Sequence, residues 1–207
     1  MSDMPSSSVS ILIAEHERLS MLYLNNAEIG EKRTAQYLSI MTFVCGGVFA
    51  LLQLNFLSRL QLLEMLLVLC LLLVVLGGVT FQRLVERRIR ATEYLRGINK
   101  IHAFFVKHNS ELKVAFAWLP NDDLPPFTGK GAALAGLRDV VAFLNTCFFA
   151  GFIFSTLLVI NIIPIIAVCA SLILSSGLWI LHQRYERHLL RTQEMLYRKH
   201  VHFPYID

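Results

Sequence analysis

Carboxylates, histidines and cysteines are the side chains that would give this chain a reaction to run, and their spacing argues against one. Glu111 with Asp122 and Asp123 forms an acidic group in a proline-containing stretch. Paired carboxylates do acid–base work when a pocket holds their pKa values apart, and a solvated turn is the plainer expectation here. His200 and His202 make an H-x-H pair that His188 could extend, but the set is scattered along the chain and reads as polar surface. Cys45, Cys70, Cys147 and Cys169 all fall in apolar runs with no C-x-x-C spacing, as expected of small packing residues. The Gly-Lys-Gly at 129–131 lacks the G-x-x-x-x-G-K-[ST] spacing of a phosphate loop and follows no strand, so a hinge is expected. No nucleophile stands beside a base. The expectation is a non-enzyme with no catalytic residue, metal or cofactor.

The chemistry the chain does carry is cationic: 19 lysines and arginines against 15 acidic residues, net +4. Arg83, Arg87, Arg88, Arg90, Arg96 and Lys100 follow one apolar run, and Arg184, Arg187 and Arg191 follow another. One reading is an anion or nucleotide site, since several cations neutralising phosphates give affinity that falls with salt. Tyr94, Phe104, Phe105, Tyr185 and Tyr197 are interleaved with these charges and would either stack bases or face the helix-bundle core. The other reading is membrane topology plus attraction to anionic lipid, worth about 1 kcal/mol per basic residue near the surface. Both readings stand at this point.

The elements that must position these residues are membrane helices. Of 207 residues 55% are hydrophobic and 16% charged, with mean hydropathy +0.55. That composition excludes a conventional soluble enzyme, a disordered chain and a disulfide-stapled module. A span needs about 20 apolar residues. Uncharged runs between Arg33 and Arg59, between Glu64 and Arg83, and from Val140 to Leu181 hold four spans, at 36–56, 61–81, 139–160 and 163–182. Asn161 and Pro164 mark where the longest run folds back. MSDMPSSS has no basic leader, so no cleaved signal is expected. Of the 19 basic residues all but Arg59 fall on one side of the spans, which the positive-inside rule makes cytoplasmic.

The expected segments are an N-terminal amphipathic helix (1–35), hairpin one (36–81), a basic helix and turn region (82–138), hairpin two (139–182) and a basic tail helix (183–207). The first helix carries Leu12, Leu19, Leu22, Tyr23 and Ile29, and Ser6, Ser7 and Ser8 offer caps. No proline separates it from span one, so the two would run on as one rod of roughly 70 Å. Its stripe needs a partner, either the 82–138 linker or the same helix of another subunit. The linker opens with Leu84, Ala91, Leu95, Ile98, Ile101 and Phe105 at helical spacing, and Asn109 and Ser110 end that helix or cap a next short one. The tail echoes it (QRLVERRIRATEYLR beside QRYERHLLRTQEMLYR), through an old duplication or through shared electrostatics.

Within the spans the chain is nearly free of ionisable groups, which disfavours a proton-coupled carrier. Glu64 is either an interfacial carboxylate that reaches water or pairs with Arg59, or a ring at the outer mouth of an oligomeric pore, attracting cations. Asn145, Thr146 and Ser155, with Ser171, Ser175 and Ser176, are pore-lining or helix-contact candidates. Gly46, Gly47, Gly77, Gly78 and Gly151 suit close helix approach.

The AEHERL and AEIGEKRTAQYLS segments leading into span one, the GGVTFQRLVERRIRATEYLRGINKI exit from span two and the LPNDDLPPF turn carry a resemblance. The layout is similar to small bacterial multi-span membrane effectors of antiphage defence, the SLATT type and the Hailong type of channel effector. The resemblance covers less than a third of the chain and carries over no ligand residue. It implies a symmetric homo-oligomeric pore in the inner membrane, controlled by a cytoplasmic nucleotide or single-stranded nucleic acid. The expectation is therefore an all-α, four-span ion channel with both termini cytoplasmic. The alternative is a non-conducting scaffold that recruits a soluble partner or anionic lipid.

Overall fold

The computed structural model describes residues 6–54, 58–108, 114, 121, 123–128 and 136–201. Four helices account for nearly all of them: α1 (Ser6–Leu54), α2 (Arg59–His108), α3 (Leu137–Val159) and α4 (Pro164–Arg198). No strand occurs among the described residues. Each helix is long and apolar enough to cross a membrane, so the chain has the build of an all-α, multi-pass membrane protein. Helices are the natural answer to these sequences, because an apolar run in lipid must satisfy its backbone internally. The hydroxyls in the runs do the same. Thr42, Thr80, Thr146 and Thr156 each donate to the carbonyl four residues back, and Ser171, Ser175 and Ser176 to the one three back.

The helix ends follow from local chemistry. α2 starts in a capping box: the Ser58 N–H donates to Gln61 Oε1 at 3.0 Å, and the Gln61 N–H donates back to Ser58 Oγ at 3.4 Å. α3 stops in a Schellman turn, with Asn161 N–H donating to Leu158 O (3.1 Å) and Ile162 N–H to Leu157 O (2.9 Å). Asn161 takes the left-handed conformation this requires (φ 62°), and Pro164 opens α4, where its missing N–H has no cost. The fold-back expected at Asn161 and Pro164 is therefore where the chain turns. α1 begins at Ser6 and runs without a break to Leu54, as the absence of proline implies. The expected features at Asn109, Ser110, Glu111, Asp122, the glycine pair of 129–131 and His202 lie outside the described residues.

The chain divides into two compact units: residues 31–85 with 132–186, and residues 1–30 with 86–131 and 187–207. The first, the span unit, buries small and polar groups beside a few large apolar ones and exposes many other large apolar side chains. Its α4 face repeats Ala167, Ser171, Ser175, His182 and Glu186, all buried, mostly at four-residue steps. α2 contributes Leu73, Phe81 and Val85, α1 Thr34 and Tyr37, and α3 Asp139, Ala142, Asn145 and Ser155. Phe43, Phe49, Leu72, Val75, Ile165 and Ile173 point outward. Such a distribution suits a lipid solvent, where small residues allow close packing and large apolar ones face the acyl chains.

In the second, the charged unit, α1 and α2 lie antiparallel. Leu19 covers Gly97 so closely that a Cβ there would stand 2.9 Å from Leu19 Cδ1. His16 meets His102, and Asn26 meets Arg87. Leu19 of the N-terminal stripe thus packs on the linker helix of the same chain.

Candidate functional site

The charged unit is organised around Arg96. Its side chain is 1% exposed, and every side of the guanidinium but one is occupied. Nη2 donates to both oxygens of Glu194 (3.2 and 2.9 Å) and Nε to Pro125 O (3.0 Å). The ring of Phe127 lies 4.3 Å from the guanidinium carbon, and that of Tyr197 lies 5.2 Å away. Glu194 also accepts from the Phe127 N–H at 2.9 Å, and Asn99 Nδ2 donates to Leu124 O at 2.7 Å. These bonds tie the 123–128 turn, α2 and α4 together. Arg96 Nη1 is buried with no partner among the described residues. Beside it a cavity of about 200 Å³ is lined by Arg96, Gly97, Lys100, Tyr197 and His200.

The other cations of this unit differ in their surroundings. Arg87 Nη1 donates to Asn26 O (3.1 Å) while Asn26 Nδ2 donates to Arg87 O (2.9 Å), so this side chain clamps α1 to α2. Arg88 is half-buried. Arg90, Lys100, Arg187, Arg191 and Arg198 are exposed. Burial raises the Glu93 carboxyl above its ordinary value, with Arg90 opposing the shift.

His16 and His102 form another titratable contact, Nε2 to Nε2 at 3.1 Å. One ring must donate and the other accept, so the contact fails when both are charged. Burial lowers the His102 pKa, and the charge of His16 lowers it further. The unfolded chain then takes up the proton first as pH falls through the ordinary value of 6.5. Stability complete above that value declines as the pH drops toward the lower folded value. We expect the melting temperature to fall between about pH 7.5 and pH 5.5, and to fall less in His102→Gln. The same pH dependence in both proteins would contradict this.

The span unit holds two polar layers. In one, Arg138 is ion-paired with Glu186 and lies 3.4 Å from Asp139 Oδ1; both carboxylates are buried. In the other, Asn145 Nδ2 and His182 Nε2 are 3.3 Å apart, His182 Nδ1 is 2.9 Å from Leu178 O, and Phe81 meets the imidazole edge-on. Tyr37 Oη and Asn145 Oδ1 are buried there without a partner among the described residues. Gly77 makes this layer possible. A Cβ on it would stand 2.5 Å from Asn145 Oδ1 and 2.8 Å from Tyr37 Oη, whereas one on Gly78 would come no nearer than 4.0 Å to Asn145 Nδ2. Gly77→Ala is expected to destabilise the protein by roughly 1–3 kcal/mol through overpacking, with Gly78→Ala nearly neutral. Thermal melts in detergent check this; equal effects would contradict it.

The residues singled out from sequence thus separate. Arg96 and Arg87 are spent on internal contacts, while Arg90, Lys100, Arg187 and Arg191 in the charged unit and Arg83 and Arg184 in the span unit are exposed. Of the pore candidates, Glu64 is exposed and Thr146 half-buried with its hydroxyl bonded to Ala142 O. Asn145 and Ser155 are buried within the unit's own bundle. Ser171 and Ser175 are helix-contact residues and Ser176 is exposed. His188 and His200 are exposed. Sequence reasoning passed over Arg138, Asp139, Glu186, His182 and Glu194. The four-residue stripe on α4 was the available signal for Glu186 and His182. No protein-family model, curated protein or solved structure matches this chain significantly.

Proposed function

We propose that this chain is the subunit of a homo-oligomeric ion channel, an effector of the antiphage type, whose conductance is set by a cytoplasmic polyanion such as a nucleotide or single-stranded oligonucleotide. The observation that carries the reading is α4. It is one uninterrupted helix from Pro164 to Arg198, apolar at its start, with exposed Arg187, Arg191 and Arg198 at four- and seven-residue steps. Those steps place the three arginines on one face, and Arg184 precedes them by three residues on the same helix. A phosphate chain laid along that row would act on the helix that also crosses the bilayer. On the positive-inside rule the row and both termini would face the cytoplasm, in this reading across an inner membrane.

The span unit fills its own interior with Leu73, Ala167, Asn145 and Ser155, so on this reading the water path would lie between copies of the chain. Exposed Glu64 stands near the outer end of α2 and would attract cations to its mouth.

The test is recording from the purified protein in planar bilayers, with and without a short single-stranded DNA. Conductance is expected to change on adding the oligonucleotide, and the change to disappear in high salt. In Arg187→Gln/Arg191→Gln/Arg198→Gln the slope of log affinity against log salt should fall by roughly 2. A protein that binds the oligonucleotide and never conducts is a scaffold, and the channel reading is then wrong. Affinity indifferent to salt and to the three substitutions would remove the polyanion.

A further inference from the structure

Arg33 and Arg83 stand apart from the arginines described above. Arg33 is the last charge before the uncharged run of α1, and Arg83 is the first charge after the uncharged run of α2. Both belong to the span unit and line one groove of about 310 Å³. Gln36 lines the same groove, and its remaining wall is mostly apolar, including Ile40, Leu76 and Val79. These three are themselves exposed, at 46%, 43% and 47%. Whereas Arg87, Arg96 and Arg138 are held by neighbouring helices, neither Arg33 nor Arg83 has a hydrogen bond or ion pair with any described residue.

We infer that this groove is a binding site for the headgroup of an acidic phospholipid. Two guanidiniums at the edge of an apolar run offer a fork of N–H donors to a phosphate, matching its charge and its several acceptors. The Gln36 amide supplies a further donor. Ile40, Leu76 and Val79 lead from that position along the apolar run, so the acyl chains of the same molecule find an apolar wall where its phosphate is held. A soluble phosphate would use the arginines and leave that wall bare; a lipid uses both. The site therefore separates Arg83 from the polyanion row of α4 and stands whether or not the protein conducts.

The experiment is native mass spectrometry of the full-length protein in mild detergent. It is titrated with dioleoyl phosphatidylglycerol, with dioleoyl phosphatidylcholine and with inorganic phosphate. Each basic residue near the surface contributes roughly fivefold, so wild type should prefer the acidic lipid on the order of 25-fold. Arg33→Gln and Arg83→Gln should each lose part of that preference and the double variant nearly all. Arg33→Lys/Arg83→Lys, which keeps the charge and tests folding, should retain most of it. Val79→Gln should weaken the acidic lipid and leave phosphate unaffected. Equal retention of the two lipids by wild type, or an unchanged preference in the double variant, would overturn the site. Displacement of the lipid by millimolar phosphate would overturn the lipid and leave a soluble anion.

Discussion

Arg96→Met is expected to destabilise the charged unit by roughly 3–5 kcal/mol, the range for breaking a buried ion pair from one side. The substitution strands the Glu194 carboxylate, which keeps the Phe127 N–H as an acceptor's partner but loses both bonds to the guanidinium. It also frees Pro125 O and takes the cation from between Phe127 and Tyr197. In a chain of this size that corresponds to a fall in melting temperature of about 10 °C. Lysine should not rescue it, because a point charge cannot bond the carboxylate and the carbonyl while lying flat against two rings. Arg96→Met/Glu194→Met should be more stable than Arg96→Met alone, since it removes the stranded charge. Fluorescence-detected melts of the four proteins decide this. A double variant no better than the single would show that packing, not charge, dominates the loss.

Glu186→Leu is the second large effect. Glu186 is buried against Arg138, and removing it leaves that guanidinium with Asp139 at 3.4 Å. A loss of roughly 3–5 kcal/mol is again expected, this time in the unit that holds the spans. Glu186→Gln keeps the shape and one acceptor, so it should recover part of the loss. The readout is the fraction of protein that remains monodisperse in detergent after heating. Full tolerance of leucine would mean that Arg138 reaches water or Asp139 suffices for it.

These two sites also show how far the sequence could be read. The spans were legible because charge is absent from them, and the α3–α4 turn because Asn161 and Pro164 interrupt an apolar run. The packing of Leu19 on Gly97 was not legible, since an apolar stripe does not say whose surface it meets. Arg96 looks like any other member of its basic run. What sets it apart is Glu194, 98 residues later. Tyr197, legible in the sequence either as a base-stacking ring or as a core residue, lies against the Arg96 guanidinium. The glycines divide in the same way. Gly77 and Gly151 meet Asn145 and Cys70, while a Cβ on Gly46 or Gly47 would meet nothing within 4 Å. Local pattern sets which helices form, but long-range pairing sets which of their cations are available to a ligand.

The proposed control by a cytoplasmic polyanion depends on the charged unit lying inside the cell and Ser58 lying outside. Single cysteines at Ser58 and Met195, in a protein whose four native cysteines are replaced by alanine, test that with a membrane-impermeant maleimide. Ser58→Cys should label in intact cells, and Met195→Cys only after permeabilisation. Labelling of Met195→Cys from outside intact cells would contradict the orientation and, with it, the cytoplasmic polyanion.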